Sequence, residues 1–102
     1  MKIPKSIKIG WRKYKVVYVK DLQDAEGNDL LGQINYNANV IRLESNNISE
    51  DYGNVVFLHE VVHGLFNSLG LNEQNDNEDI VDGLSEIMYQ VIKENKLMES
   101  DN

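Results

Sequence analysis

Two different apolar periods divide the chain. In SIKIGWRKYKVVYV, residues 6–19, Ile7 and Ile9 alternate with polar neighbours, Gly10 interrupts, and Tyr14, Val16 and Tyr18 alternate again. A period of two puts alternate side chains on one face of a strand, so this stretch predicts a first hairpin. KDLQDAEGNDLLG then reads as a polar loop with Gly27-Asn28 as its turn signal. Two short runs, residues 33–36 and 40–44, flank Asn37-Ala38-Asn39, and asparagine tolerates the left-handed backbone of a tight turn. That predicts a second hairpin. Beyond residue 47 the period lengthens. Val55, Leu58, Val62, Leu65, Phe66 and Leu69 recur at helical spacing, with Asn47 or Ser49 as cap and Gly70 as stop. After the loop LNEQNDN, a second helix is predicted over about residues 76–95, with Ile80, Leu84, Ile87, Met88 and Val91 on its inner face. The expectation is a single α+β domain over residues 1–102. A small antiparallel sheet of two hairpins (1–46) would pack on two helices (47–95), with a flexible tail at 96–102.

Composition narrows the function. A chain of 102 residues with 41% hydrophobic content supports one modest core. Seven of its ten basic residues fall in the first twenty positions, where there is no acid, so residues 21–102 carry three bases against seventeen acids. Such an acidic body argues against nucleic acid as a partner, because phosphate neutralisation supplies most of that affinity. The basic segment reads as a solvated strand face. Without cysteine there is neither a disulfide nor a thiolate metal site, and stability must come from the core or from a bound metal. No apolar run approaches membrane-spanning length, and the opening MKIPKSIKIGWRKYK lacks the apolar stretch of a signal peptide. A cytoplasmic location with no membrane partner is the expectation.

Both histidines of the chain lie in one short segment, VVFLHEVVHGLFNSLG, as His59-Glu60-Val61-Val62-His63. Four residues apart on a helix, they share a face about 40° wide and can turn two imidazole nitrogens to one ion. They fall at the rim of the apolar stripe, with Glu60 expected further outward, where it reaches a metal-bound water without ligating the metal. This is the logic of the HExxH signature. By average usage, HExxH occurs by chance in a chain this long on the order of a few times in a thousand. Together with the independently predicted helix, that rarity favours a metal site over two unrelated histidines.

Catalytic zinc usually takes three protein ligands and a water. With no further histidine and no cysteine, the third must be a carboxylate. Glu78 and Asp82 share one flank of the second helix, whereas Asp79 and Glu86 turn to the other side. Glu78, in the first turn, lies nearest the histidines if the helices pack antiparallel, and Asp82 could accept the second N–H of a ligating ring. Glu86 is the alternative ligand; Glu78 and Asp79 could instead serve only the helix dipole.

The pairing of HEVVH with NEDIVDGLS resembles the gluzincin layout, in which a glutamate on a later helix completes the site. Asn77-Glu78 with Asp82 resembles the NExxSD element of thermolysin-like enzymes. It is also similar to the glutamate motif of ImmA/IrrE-type metallopeptidases, whose small, Asn/Asp and apolar positions are matched by Val81, Asp82 and Leu84. The resemblance spans roughly residues 49–92, and the fourteen residues between His63 and Glu78 are fewer than in thermolysin-like proteins. It implies a minimal zincin-like core holding one zinc ion on His59, His63 and Glu78, the metal that these ligand types also favour. It implies a metallopeptidase with Glu60 as general base, acting on a peptide or protein, for which the resemblance offers a regulatory role in a phage or mobile element. Zincin substrates lie extended along a sheet edge, for which Val40, Ile41, Arg42 and Leu43 are the candidate strand. Tyr52 and Tyr89 are candidate oxyanion stabilisers. The alternative is a non-catalytic, zinc-stabilised binding or regulatory protein.

Overall fold

The computed structural model describes residues 1–98. Strands β1 (Ser6–Ile9) and β2 (Arg12–Val19) form the first hairpin, and β3 (Gly32–Asn35) and β4 (Val40–Glu44) form the second. Both expected hairpins are present, in an α+β fold. The sheet, however, is mixed and not antiparallel: its order is β1-β2-β4-β3, with β2 parallel to β4 from Lys15↔Val40 to Val19↔Glu44. The chain leaves β2, crosses to the far edge, descends as β3 and returns as β4 into the gap. Local alternation fixes each hairpin but carries no information about which of its strands meets the other hairpin. The choice follows burial, because Ile41 and Leu43 of β4 are almost fully enclosed in the sheet centre. The crossing loop is pinned by the Glu44 carboxylate, which accepts the backbone N–H groups of Asp21 and Leu22. Those bonds hold the Glu44 carboxyl below the usual carboxylate range, the one from Leu22 contributing most.

Helix α1 (Glu50–Leu69) is capped by Ser49, whose hydroxyl accepts the Tyr52 N–H, and ends at Gly70. A single turn, α2 (Asn72–Asn75), lies within the stretch expected to be loop. Helix α3 (Glu78–Glu94) starts at the Asn77 cap, whose side chain accepts the N–H groups of Asp79 and Ile80. Of the expected tail, residues 96–98 follow α3, and 99–102 lie outside the described residues. No helix among the described residues is long and apolar enough to cross a membrane.

Both inner faces differ from the sequence reading. On α1 the buried set is Asn54, Phe57, Leu58, Glu60, Val61, Val62 and Gly64, while Leu65 and Leu69 are exposed. The helix is covered by the sheet on one side and by α3 on another, so its buried surface is wider than one stripe. On α3 the buried residues are Val81, Ser85 and Tyr89, and Ile80, Leu84, Ile87 and Val91 are 39–53% exposed. A shift of one residue turns a helix by about 100°. That rotation faces Glu78 and Asp82, which share a stripe with Ser85 and Tyr89, toward α1.

Candidate metal centre

Three side chains from two helices converge at one point. His59 Nε2 lies 3.2 Å from one Glu78 carboxylate oxygen, and His63 Nε2 lies 3.1 Å from the other. The imidazole rings meet edge to face, with centroids 4.8 Å apart. Each Nδ1 is engaged behind the site. That of His59 is 2.9 Å from Asp82 Oδ1, and that of His63 is 2.6 Å from Asn75 Oδ1. The Asn75 amide nitrogen donates to the Tyr36 hydroxyl at 3.1 Å, and that hydroxyl donates to the His63 carbonyl at 3.3 Å.

This wiring decides what the centre can hold. Both partners behind the rings are acceptors, so each Nδ1 carries a proton and each Nε2 points its remaining valence at the Glu78 carboxylate. A neutral Nε2 has only a lone pair there, and a lone pair facing a carboxylate oxygen at hydrogen-bond distance is repelled. Either a second proton on each ring or a cation shared by the three groups removes the repulsion. One ligand atom from each of His59, His63 and Glu78 can be chosen so that all lie within 4.8 Å of one another. Zinc at about 2.0–2.2 Å from tetrahedral N and O ligands needs neighbouring ligand atoms about 3.3 Å apart. The observed separations of 3.1 and 3.2 Å, each to a different oxygen of the Glu78 carboxylate, are of this size. Glu78 therefore stands close enough to both histidines for the three to hold a metal ion, and Asp82 stands behind His59. Glu86 lies on the wall of the adjoining groove instead.

Glu60 departs from expectation. It is 6% exposed and faces inward, not outward, because the side of α1 that carries it is roofed by the start of β3. There the closest approach is to Gly32. A Cβ at that position would lie 2.9 Å from Glu60 Oε2 and 2.8 Å from Val56 Cγ1, so the glycine is what leaves room for the carboxylate. Burial pushes the Glu60 carboxyl up from 4.5 to about 7; the charge of His63 pulls it down and that of Glu78 pushes it further up.

The expected substrate edge also moves. Val40, Ile41, Arg42 and Leu43 belong to β4, which is hydrogen-bonded on both sides by β2 and β3 and cannot accept an added strand. Both edge strands, β1 and β3, pack against α1, and β3 is the one that brings its backbone, at Gly32, against Glu60. The Glu44 N–H donates to the Leu31 carbonyl. By alternation of the antiparallel ladder, Gly32 and Ile34 then turn their N–H and C=O groups to the open side. A groove of about 340 Å³ runs beside this edge, lined in part by Gly32, Tyr52, Val56, His59, Glu60 and Asp82. Tyr52 is thus on the groove wall. Tyr89 is not: its hydroxyl donates to Asp51 and accepts from Asn54 in the first turns of α1, where Lys93 also bonds Asp51.

Asn75, Tyr36 and Gly32 escaped the sequence reading. Asn75 sits in an asparagine-rich stretch that looks like an ordinary loop, and Gly32 looks like the end of a turn. Only the spacing of Asn75, three residues before Glu78, could have drawn attention to it. Compared with family models, with curated proteins and with solved structures, the chain matches none.

Proposed function

We propose that the protein is a zinc-dependent metallopeptidase of gluzincin-like layout. The observation that carries this reading is the pair of imidazoles, each fixed from behind by an acceptor and each aimed by Nε2 at the same carboxylate. His59, His63 and Glu78 would hold the ion, and Asp82 and Asn75 orient the two rings. A zinc ion held there would supply Lewis acidity, lowering the pKa of a water and polarising a carbonyl oxygen. Glu60, enclosed beside the ligands with a proton affinity near neutrality, takes a proton from the attacking water and returns it to the leaving amine. The open edge of β3 at Gly32 and Ile34 aligns an extended peptide, and Tyr52 on the groove wall is the tyrosine available to a developing oxyanion.

The second reading, a non-catalytic zinc staple in a binding protein, draws on the same ligands: the ion would tie α1 to α3 in a chain with no disulfide. A buried general base beside an open groove has no part in a staple, which is why catalysis is preferred. Zinc content and cleavage of a peptide library are measured for the wild type and for Glu60→Gln. The variant should retain one zinc per chain and lose turnover by about a hundredfold or more. Turnover unchanged by the substitution removes the peptidase mechanism, and unfolding on chelation with no cleavage by the wild type establishes the staple.

A further inference from the structure

A second cavity, about 620 Å³, opens on the far side of a wall made by Leu31 and Val56, two residues that also line the metal-side groove. Met1, Ile3, Tyr18, Leu43 and Ile48 give it a mainly apolar lining where β2 and β4 finish and α1 begins. It is larger than the groove, and no metal ligand reaches it. One residue of its wall is unusual for its position. Gly53 lies in the first turn of α1, where glycine costs about 1 kcal/mol relative to alanine. A close approach or a left-handed backbone would explain such a residue. Neither is present: its φ is not positive, and a Cβ would meet only Ile48 Cγ2 at 3.5 Å, an ordinary contact. Gly53 lines the cavity without contributing a side chain to it.

We infer that this cavity is an anchor subsite for a large apolar side chain of the peptide substrate, about three residues from the scissile bond, with Gly53 keeping it open. The inference deepens the peptidase reading and rests on it. Gly53 precedes His59 and Glu60 by six and seven residues, a distance of about 9–10 Å along the helix axis. An extended peptide covers that distance in about three residues. A strand added to β3 at Gly32 and Ile34 passes Leu31, the partition between groove and cavity, so one substrate reaches both. The volume exceeds that of any single side chain, and the lining offers apolar surface to a Phe, Leu or Trp.

The test measures binding to the full-length Glu60→Gln protein, in which bound peptide is not turned over. The probes are ten-residue Ala/Lys peptides with one Phe at successive positions, against the same peptide without Phe, read by fluorescence anisotropy. Phe at one position should tighten Kd on the order of tenfold or more. Adding Gly53→Leu, which puts a branched side chain into the cavity, should diminish that gain. Gly53→Ala serves if the leucine variant does not fold; it should diminish the gain and raise Tm. A flat Phe scan, or a gain that neither Gly53 variant alters, overturns the subsite. Cleavage of the same peptides by the wild type is scored separately. Binding that depends on Gly53 without cleavage defeats the peptidase reading and leaves the subsite standing; cleavage with a flat scan does the reverse.

Discussion

The burial of Glu60 has a consequence that can be measured without any substrate. In the metal-free protein its carboxyl is pushed from 4.5 to about 7, chiefly by burial. Unfolded, it ionises near its ordinary value. The folded state therefore holds the proton more tightly, and the stability this confers is complete below about pH 4.5 and lost as pH rises through 7. At about 1.36 kcal/mol per tenfold change in proton affinity, the loss comes to about 3 kcal/mol. Glu60→Gln keeps the shape and cannot ionise, so the variant should lack this loss. Urea unfolding in the presence of a chelator, from pH 4.5 to 8, should show the variant gaining about 3 kcal/mol on the wild type, a midpoint difference of about 1–2 M. Groups common to both proteins cancel in the difference, apart from the coupling of Glu60 to His63 and Glu78. With zinc bound, the added positive charge favours the carboxylate, and the divergence should shrink. Two curves that stay parallel in the chelated protein would refute the reasoning, because the carboxyl would then reach water in the folded state.

Three other outcomes follow from contacts around the site. Asp82→Ala and Asn75→Ala should each weaken zinc binding about 10- to 100-fold in competition with a chromophoric chelator; unchanged affinity would show that the Nδ1 contacts do not set the ring orientations. Gly32→Ala should force Val56 and Glu60 apart, cost about 1–3 kcal/mol in thermal unfolding, and depress turnover more than zinc content; an unaltered Tm would mean that the start of β3 yields freely. Tyr89→Phe strips the hydroxyl from Asp51 and Asn54 and should cost about 1–3 kcal/mol of stability with kcat unchanged, whereas Tyr52→Phe should lower kcat; the opposite pattern would reverse the placement of the two tyrosines.

What could be read from the sequence was local. The hairpins, both helices, a cap at Asn47 or Ser49, the Gly70 stop, the shared face of His59 and His63 and the shared flank of Glu78 and Asp82 all follow from patterns within a few residues of each position. What could not be read depends on partners distant in the chain. Whether Val40 or Gln33 lies at an edge depends on the parallel pairing of β4 with β2, about 25 residues away in sequence. The face that α3 buries was misjudged because Ile80, Leu84, Ile87 and Val91 form the more apolar stripe. The adjacent stripe, holding Val81, Ser85 and Tyr89, is the one that also turns Glu78 and Asp82 inward. Glu60 reads as outward-facing because it lies off the apolar stripe of Val55, Leu58, Val62 and Leu65 at 100° per residue. In the fold, a glycine on β3 makes a slot for it.

The fourteen residues between His63 and Glu78 explain how so small a chain can hold its ligands in place. A long connection would leave Glu78 to find the histidines against the entropy of a flexible loop. Here almost every part of the connection is fixed by a hydrogen bond. The N–H groups of Gly70 and Leu71 return to the Asn67 and Phe66 carbonyls and close α1. One turn of α2 then brings the Asn75 side chain to His63 Nδ1 and the Tyr36 hydroxyl. Two residues later Asn77 caps α3, which sets Glu78 as its first helical residue with the carboxylate toward both rings. The asparagines that read as an irregular loop in composition are therefore the parts that align the two halves of the centre. Glu78 itself, with its side chain 61% exposed, gets no such placement from the hydrophobic core. Pre-organisation here resides in the backbone of the connection, so the site can stay open to solvent on the side of Glu78, where the proposed substrate would enter.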